Sequence, residues 1–202
     1  MATARTSKLE AINTMLSAIG EAPVNDLSAS SATTDVIMAK NILDEVSREM
    51  QAQGWHFNRE AEVLMVPNAE NQIEVSQSVA SFDVEPTNAG GVEYVLRGSK
   101  VYDKTNHTYT ITKSLKATVV YIFDWEELPQ SARNYFMIKA ARRFQDRVVG
   151  SEKHHTFQEM DEFRAMVAFK SAEADDADYS IFDNYDVARI VDRGSVINRV
   201  TT

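Results

Sequence analysis

Residues 128–150, LPQSARNYFMIKAARRFQDRVVG, decide how the rest of the chain must be arranged. Pro129 stands where a helix tolerates proline, in its first turn, with Glu126 and Glu127 placed against the positive end of the helix dipole. Apolar residues recur at Leu128, Ala132, Tyr135/Phe136, Ala140, Phe144 and Val148, a helical spacing that predicts one continuous inward stripe. Gly150 supplies a left-handed stop. The remaining faces carry Arg133, Lys139, Arg142, Arg143 and Arg147 against the single acid Asp146. No other segment is this basic, yet the chain has a formal net charge of -9. A basic, aromatic helix in an acidic protein needs a partner: acidic neighbours within the fold, or the surface of another chain.

Two amphipathic helices precede it. The first opens on Ser7 as N-cap and runs through Leu9, Ile12, Leu16 and Ile19 to Gly20, with Pro23 behind the stop. The second opens at Thr33 or Thr34 and presents Val36, Ala39, Ile42/Leu43, Val46 and Met50 before Gly54. Such a hairpin cannot hide its own stripes, and the basic helix is the element able to cover them. From Trp55 the period changes. Trp55, Phe57 and Val63 to Val66 read as one strand or two, and Ile73–Val75 and Val79–Val84 as short strands. Residues 92–97 and 100–103 flank Gly98-Ser99, the signature of a hairpin with a type II′ turn. Lys104–His107 turns the chain into Thr108–Thr112, and Leu115–Phe123 is a strand dense in β-branched residues. The middle is thus a small antiparallel sheet. Trp55 and Trp125 mark its junctions with the helices.

After Gly150 a last helix is expected from Ser151, carrying Phe157, Met160, Phe163 and Val167 inward and turning acidic at Glu173, Asp175, Asp176 and Asp178. Beyond Tyr179 apolar residues continue without a lasting period, among them Ile181, Phe182, Tyr185, Ile190, Val191 and Ile197. They are too many for a free disordered end, so the segment is read as an arm that docks on its own body or on another chain. The expected fold is α+β: an antiparallel bundle of about four helices from residues 1–54 and 126–178, a small antiparallel β domain inserted at 55–125, and an extended C-terminal arm at 179–202.

With 202 residues the chain has enough length for a sizeable core, and with no cysteine it has no disulfide and no thiol nucleophile. No signal peptide and no membrane-length apolar run stand out. The acidic excess argues against general nucleic-acid binding, although it suits a channel along which DNA slides without sticking. Chemistry is sparse. His56, His107, His154 and His155 make no metal set by spacing, and no phosphate loop, nucleophile elbow or zinc-protease helix is present. Carboxylates stand side by side at Glu126-Glu127, Asp161-Glu162 and Asp175-Asp176, where a cap or a solvated face explains them. Neither a catalytic residue nor a cofactor is expected. A polysaccharide hydrolase built from acids distant in sequence and a soluble peptide-binding module are the competing classes.

The order of pieces resembles a known family. INTMLSAIGEAPVNDL in the first helix, AKNILDEV and REMQAQGWHFN across the second, VYDKT in the hairpin and ELPQSARNYFMIKAARRF with DRVVG in the basic helix are similar to tail tubular protein A, the adaptor or gatekeeper of short-tailed podoviral phages. The resemblance runs from about Leu9 to the acidic end of the last helix and is weaker over 68–91 and after Tyr179. It implies a structural virion protein, assembled in the host cytoplasm, that forms a homo-oligomeric ring of usually twelve subunits. That ring joins the portal protein to the nozzle, tail tubular protein B, seats the tail fibres and lets DNA pass through its lumen during ejection, without specific binding and without a membrane. On that reading the arm (Ile181, Phe182, Tyr185, Ile190, Val191, Ile197) is the portal dock. The hairpin (Arg97, Gly98, Ser99, Lys100) faces nozzle and fibres, and the basic face (Arg133, Lys139, Arg142, Arg143, Arg147) serves the bundle or the contact between subunits.

Overall fold

The protein, seen here as a computed structural model, is described at residues 5–28, 33–85, 89–148, 150 and 152–177, with the backbone alone over 152–159. It has an α+β fold. Helices α1 (Lys8–Ala18), α2 (Thr34–Gln51), α3 (Gln130–Val148) and α4 (Glu152–Asp176) surround one core. Strands β1 (Arg59–Met65), β2 (Val79–Val84), β3 (Tyr94–Arg97), β4 (Lys100–Asp103) and β5 (Leu115–Tyr121) lie between α2 and α3 in sequence and enclose a second.

Local chemistry sets the helix ends. Ser7 and Glu10 form a capping box, in which Ser7 Oγ accepts from the Glu10 N–H at 3.2 Å and the Glu10 carboxylate accepts from the Ser7 N–H at 2.7 Å. Thr33 caps α2. Asn13 pins the chain after α1 by exchanging two hydrogen bonds with the Val24 backbone at 2.8 and 2.9 Å. α3 is the centre of the bundle, packed on α1, α2 and α4. Its stripe of Ala132, Tyr135, Phe136, Ala140 and Phe144 is buried as the spacing predicts. Val148, the last residue of α3, is the exception and stands 40% exposed.

The junction between the helices and the strands is polar and closed. Gln51, fully buried at the end of α2, exchanges hydrogen bonds with Phe123 N at 2.8 Å and Phe123 O at 3.1 Å. Asn58 donates to Gln51 O at 2.8 Å and Tyr121 O at 2.6 Å, and accepts from the Trp55 N–H at 2.9 Å. Entry to and exit from the strand region are therefore tied by two amides whose donors and acceptors would cost free energy if left bare. Gly54 between them takes φ +74°, and a Cβ there would lie 3.0 Å from Val120 Cγ2, so both backbone and space require glycine.

These bonds correct the expectation of a strand at Trp55 and Phe57. Residues His56–Asn58 form a 3-10 turn, because the Asn58 side chain closes it while the Trp55 indole donates to Met50 O and turns back to the bundle. The strands form two sheets rather than one: β1-β5-β2, all antiparallel, and the hairpin β3-β4. In the first, Met65 pairs with Leu115, Val63 with Ala117 and Phe82 with Val119, and a bulge at Glu62 (φ 57°) bends the edge strand β1. The expected strand at Ile73–Val75 reduces to a single bridge, Glu74 with Lys100, and the stretch Thr108–Thr112 after the turn pairs through the bridge of Asp103 with Thr108. The hairpin itself forms as expected, with Arg97 opposite Lys100 and Gly98 at φ 63°.

The largest correction concerns α4. Met160, Phe163 and Val167, expected inside, are 55%, 66% and 51% exposed. The buried residues are Ala165, Phe169 and Glu173, with Glu162 nearly so. Phe169 explains the choice: its ring enters a box of Trp55 (centroids 4.6 Å), Tyr135 (5.5 Å) and Phe136 (5.8 Å). Aromatic pairs at such separations gain beyond their buried area, and a helix turned to bury Phe163 would forfeit all three. The side chain of Phe157 falls outside the described residues.

Candidate interaction surfaces

The basic face of α3 meets its counter-charges inside the subunit. Arg143 pairs with Glu45 at 3.0 Å and Glu49 at 2.7 Å, and Arg147 with Glu45 at 3.1 Å, all toward α2. On the other side, Glu162 of α4 receives Lys139 at 3.3 Å and Arg142 at 2.5 Å. The Glu45 carboxyl is held below its ordinary range, chiefly by its hydrogen bond from Arg147. Arg133 differs in kind. Only 2% exposed, it donates to Leu128 O at 2.9 Å, Thr6 O at 2.8 Å, the Glu126 backbone carbonyl and the Glu126 carboxylate at 3.1 Å. It serves as an internal clasp that collects the start of the chain and the turn before α3. The Trp125 indole joins the same clasp through Thr6 O at 3.0 Å.

The hairpin tip is tied down rather than free. The Arg97 guanidinium lies 3.7 Å above the Tyr102 ring, and Lys100 donates to Gln72 at 2.7 Å and faces Glu74 at 3.5 Å. Ser99 O accepts from the Val75 N–H at 2.8 Å. Gly98 and Ser99 form its exposed turn.

Beyond these pairs, the described residues include a set of exposed apolar side chains and one buried acid. α4 offers Met160, Phe163 and Val167 along one outer line; α2 offers Ile37 and Met38; β1 and the residue after it offer Leu64 and Val66. Beside the α4 line, a cleft of about 570 Å³ is lined by Trp55, His56, Arg59, Thr118, Glu173 and Ala174. Glu173 is 7% exposed, and neither carboxylate oxygen has a hydrogen-bond partner of ordinary geometry. Burial pushes its carboxyl up from the usual range, against the pull of the Phe57 and His56 backbone N–H groups and of the nearby His56. Periodicity could not have found this site. Glu173 reads as the start of an acidic helix end, and only the choice of Phe169 one turn earlier draws it inside.

Little here resembles reaction chemistry. Among the described residues no group of three or more His, Asp or Glu side chains could hold a metal ion. The adjacent acids have structural uses: Glu126 holds Arg133, Glu127 accepts from the Asp124 N–H at 3.1 Å, and Asp161 faces Arg164 at 3.6 Å. His107 takes φ 55° in its turn, and the side chains of His154 and His155 fall outside the described residues. No described helix is long and apolar enough to cross a membrane. The arm residues Ile181, Phe182, Tyr185, Ile190, Val191 and Ile197 also lie outside the described residues.

Comparison with known proteins gives these surfaces a context. A family model described as tail tubular protein matches residues 9–179, from α1 past the end of α4. Tail tubular protein A of Klebsiella phage KP34 is 26% identical over 163 residues, covering 79% of this chain and 84% of that protein.

Proposed function

Because the chain belongs to the tail tubular protein family, and so is a structural component of a phage tail, we propose that it is the subunit of the adaptor ring between portal and nozzle. The reading rests on one observation above all: the family match runs through every helix of the bundle and every strand, rather than over one exchangeable piece. A subunit whose central basic helix is paired internally while apolar lines remain outside also suits heterologous contacts, in which one face meets a different face of the next copy.

In this reading copies close into a ring, usually of twelve, on the portal protein. The helical part, residues 1–54 and 126–178, forms the body of the ring. The strand region, 55–125, points toward the nozzle, tail tubular protein B, and the tail fibres, with the Gly98-Ser99 turn leading. Residues 179–202 form the arm that docks on the portal, where alternating Asp and Arg leave the arm nearly neutral toward either sign of surface. DNA passes along an acidic lumen that does not retain it. The protein carries out no catalysis, assembles in the host cytoplasm and ends in the virion tail.

Imaging the purified chain mixed with its portal tests this directly. A ring coaxial with the portal supports the reading, and a monomer that leaves the portal bare overturns it. Truncation after Asp178 separates the arm from the rest: portal binding as tight as that of the full chain would remove its docking role.

A further inference from the structure

The contacts of its last turns show which way α4 travels. Phe169 packs on Trp55, the Glu173 carboxylate faces the His56 and Phe57 backbone N–H groups, and the cleft sets Ala174 opposite Ala61 and Thr118. α4 thus advances beside the chain that runs from Trp55 into β1, and its path ends at Ala177, just beyond the cleft. The cleft opens on one face of the sheet. Leu64 pairs with Lys116, two residues before Thr118 on β5, so Leu64 and Thr118 share that face, and Val66 extends it. Val63 and Met65 point the other way, into the second core. Leu64 and Val66 are 61% and 62% exposed, the most exposed large apolar side chains among the described residues of the strand region.

We propose that residues 178–185 seat on this outer face of their own subunit's sheet, with Ile181, Phe182 and Tyr185 covering Leu64 and Val66. The place where the chain leaves α4 carries the argument. Leu64 lies about 10 Å along the strand from Ala61 and Val66 about 7 Å further, while an extended chain from Ala177 reaches about 14 Å at Ile181 and about 28 Å at Tyr185. A return over the apolar line of α4 itself would need a reversal at once, and no glycine or proline stands between Asp176 and Gly194 to make one. Asp178 leaves the helix beside the exposed Arg59 of the cleft wall, a counter-charge at the point of departure. The seat fixes the root of the arm and leaves Ile190, Val191 and Ile197 to the portal. It also covers an apolar patch beside the edge strand β1, where other chains would otherwise gather.

The inference concerns one subunit, so it holds or fails whether or not copies form a ring. The chain has no cysteine, and introduced pairs therefore report proximity without background. Full-length chains carrying Leu64→Cys with Phe182→Cys, or Phe163→Cys with Phe182→Cys, are oxidised as free subunits and run on gels without reductant. A disulfide closes only where the two Cβ atoms come within about 4.5 Å. The first pair should close within one chain, severalfold faster than the second. Failure of the first pair to close, or faster closure at position 163, overturns the proposal, the latter placing the arm on α4. A bond that forms only between two chains overturns it as well and places the arm on another copy. Hydroxyl-radical modification of Leu64 and Val66 is the second measurement, because it needs no substitution. Truncation after Ala177 should raise that modification severalfold, and equal modification with and without residues 178–202 overturns the proposal.

Discussion

α3 and α4 lie side by side and are written in similar letters, aromatic, basic and acidic, but the fold treats them in opposite ways. Every cation that the α3 sequence carries on its faces is met within the subunit: Arg133 by carbonyls, Lys139 and Arg142 by Glu162, Arg143 and Arg147 by Glu45 and Glu49. α4 keeps three large apolar side chains outside and one acid inside. α3 is thus finished by its own chain, whereas α4 is left for something else. In the proposed ring such a division leaves one helix to hold the fold and its neighbour available for a contact outside the subunit.

The sharpest way to break the comparison is to empty one side chain on each helix. Phe144→Ala removes a ring with no exposure and should destabilise the subunit by about 3–5 kcal/mol, read as denaturant midpoint, while Phe163→Ala in the free subunit should stay within about 0.5 kcal/mol. Equal losses would place Phe163 in a core. Next in size, Arg133→Met strips buried backbone carbonyls of their donor and should cost about 1–3 kcal/mol, although a surface ion pair of the same length would not.

Glu173→Gln sharpens the contrast through pH. Its carboxyl titrates above the ordinary range in the folded subunit, so the fold favours the protonated form. Below the unfolded value, about 4.3, the acid is neutral in both states and the variant should melt with the parent. As pH rises through the folded value the parent alone bears a buried charge, so the variant's relative stability should increase and then level off. A difference in melting that is flat across this window would mean that the carboxylate is hydrated. The smallest effect belongs to Arg147→Ala, whose pair with Glu45 is half exposed: a loss below about 1 kcal/mol, diminishing further in high salt.

The contrast also explains what could be read from the sequence. α3 was legible because its apolar residues occupy one face and its charges the others, so the period alone picks the buried side. The stops at Gly20, Gly54 and Gly150 were legible for a similar reason, since each needs a positive φ. α4 was not: Met160, Phe163, Ala165, Met166, Val167 and Phe169 surround the helix, and periodicity finds a stripe on whichever side it begins. The decision came from outside the helix, from the aromatic box around Phe169. Trp55 to Asn58 was misread as strand because alternation saw Trp55 and Phe57 but not the amide of Asn58 closing a turn. The motif QAQGWHFN was visible as a resemblance, yet its reason appears only in space, where Gln51 and Asn58 stitch α2 to β5. The burial of Glu173, beside Asp175 and Asp176 that stay in water, had no local signature at all.

Oxidative footprinting of aromatic and methionine side chains, compared between free subunit and intact virion, tests the division between α3 and α4 most directly. The account predicts that Phe136 and Phe144 are protected in both, while Met160 and Phe163 are modified in the free subunit and protected in the particle. Met160 and Phe163 modified as readily in the virion as in solution would contradict it.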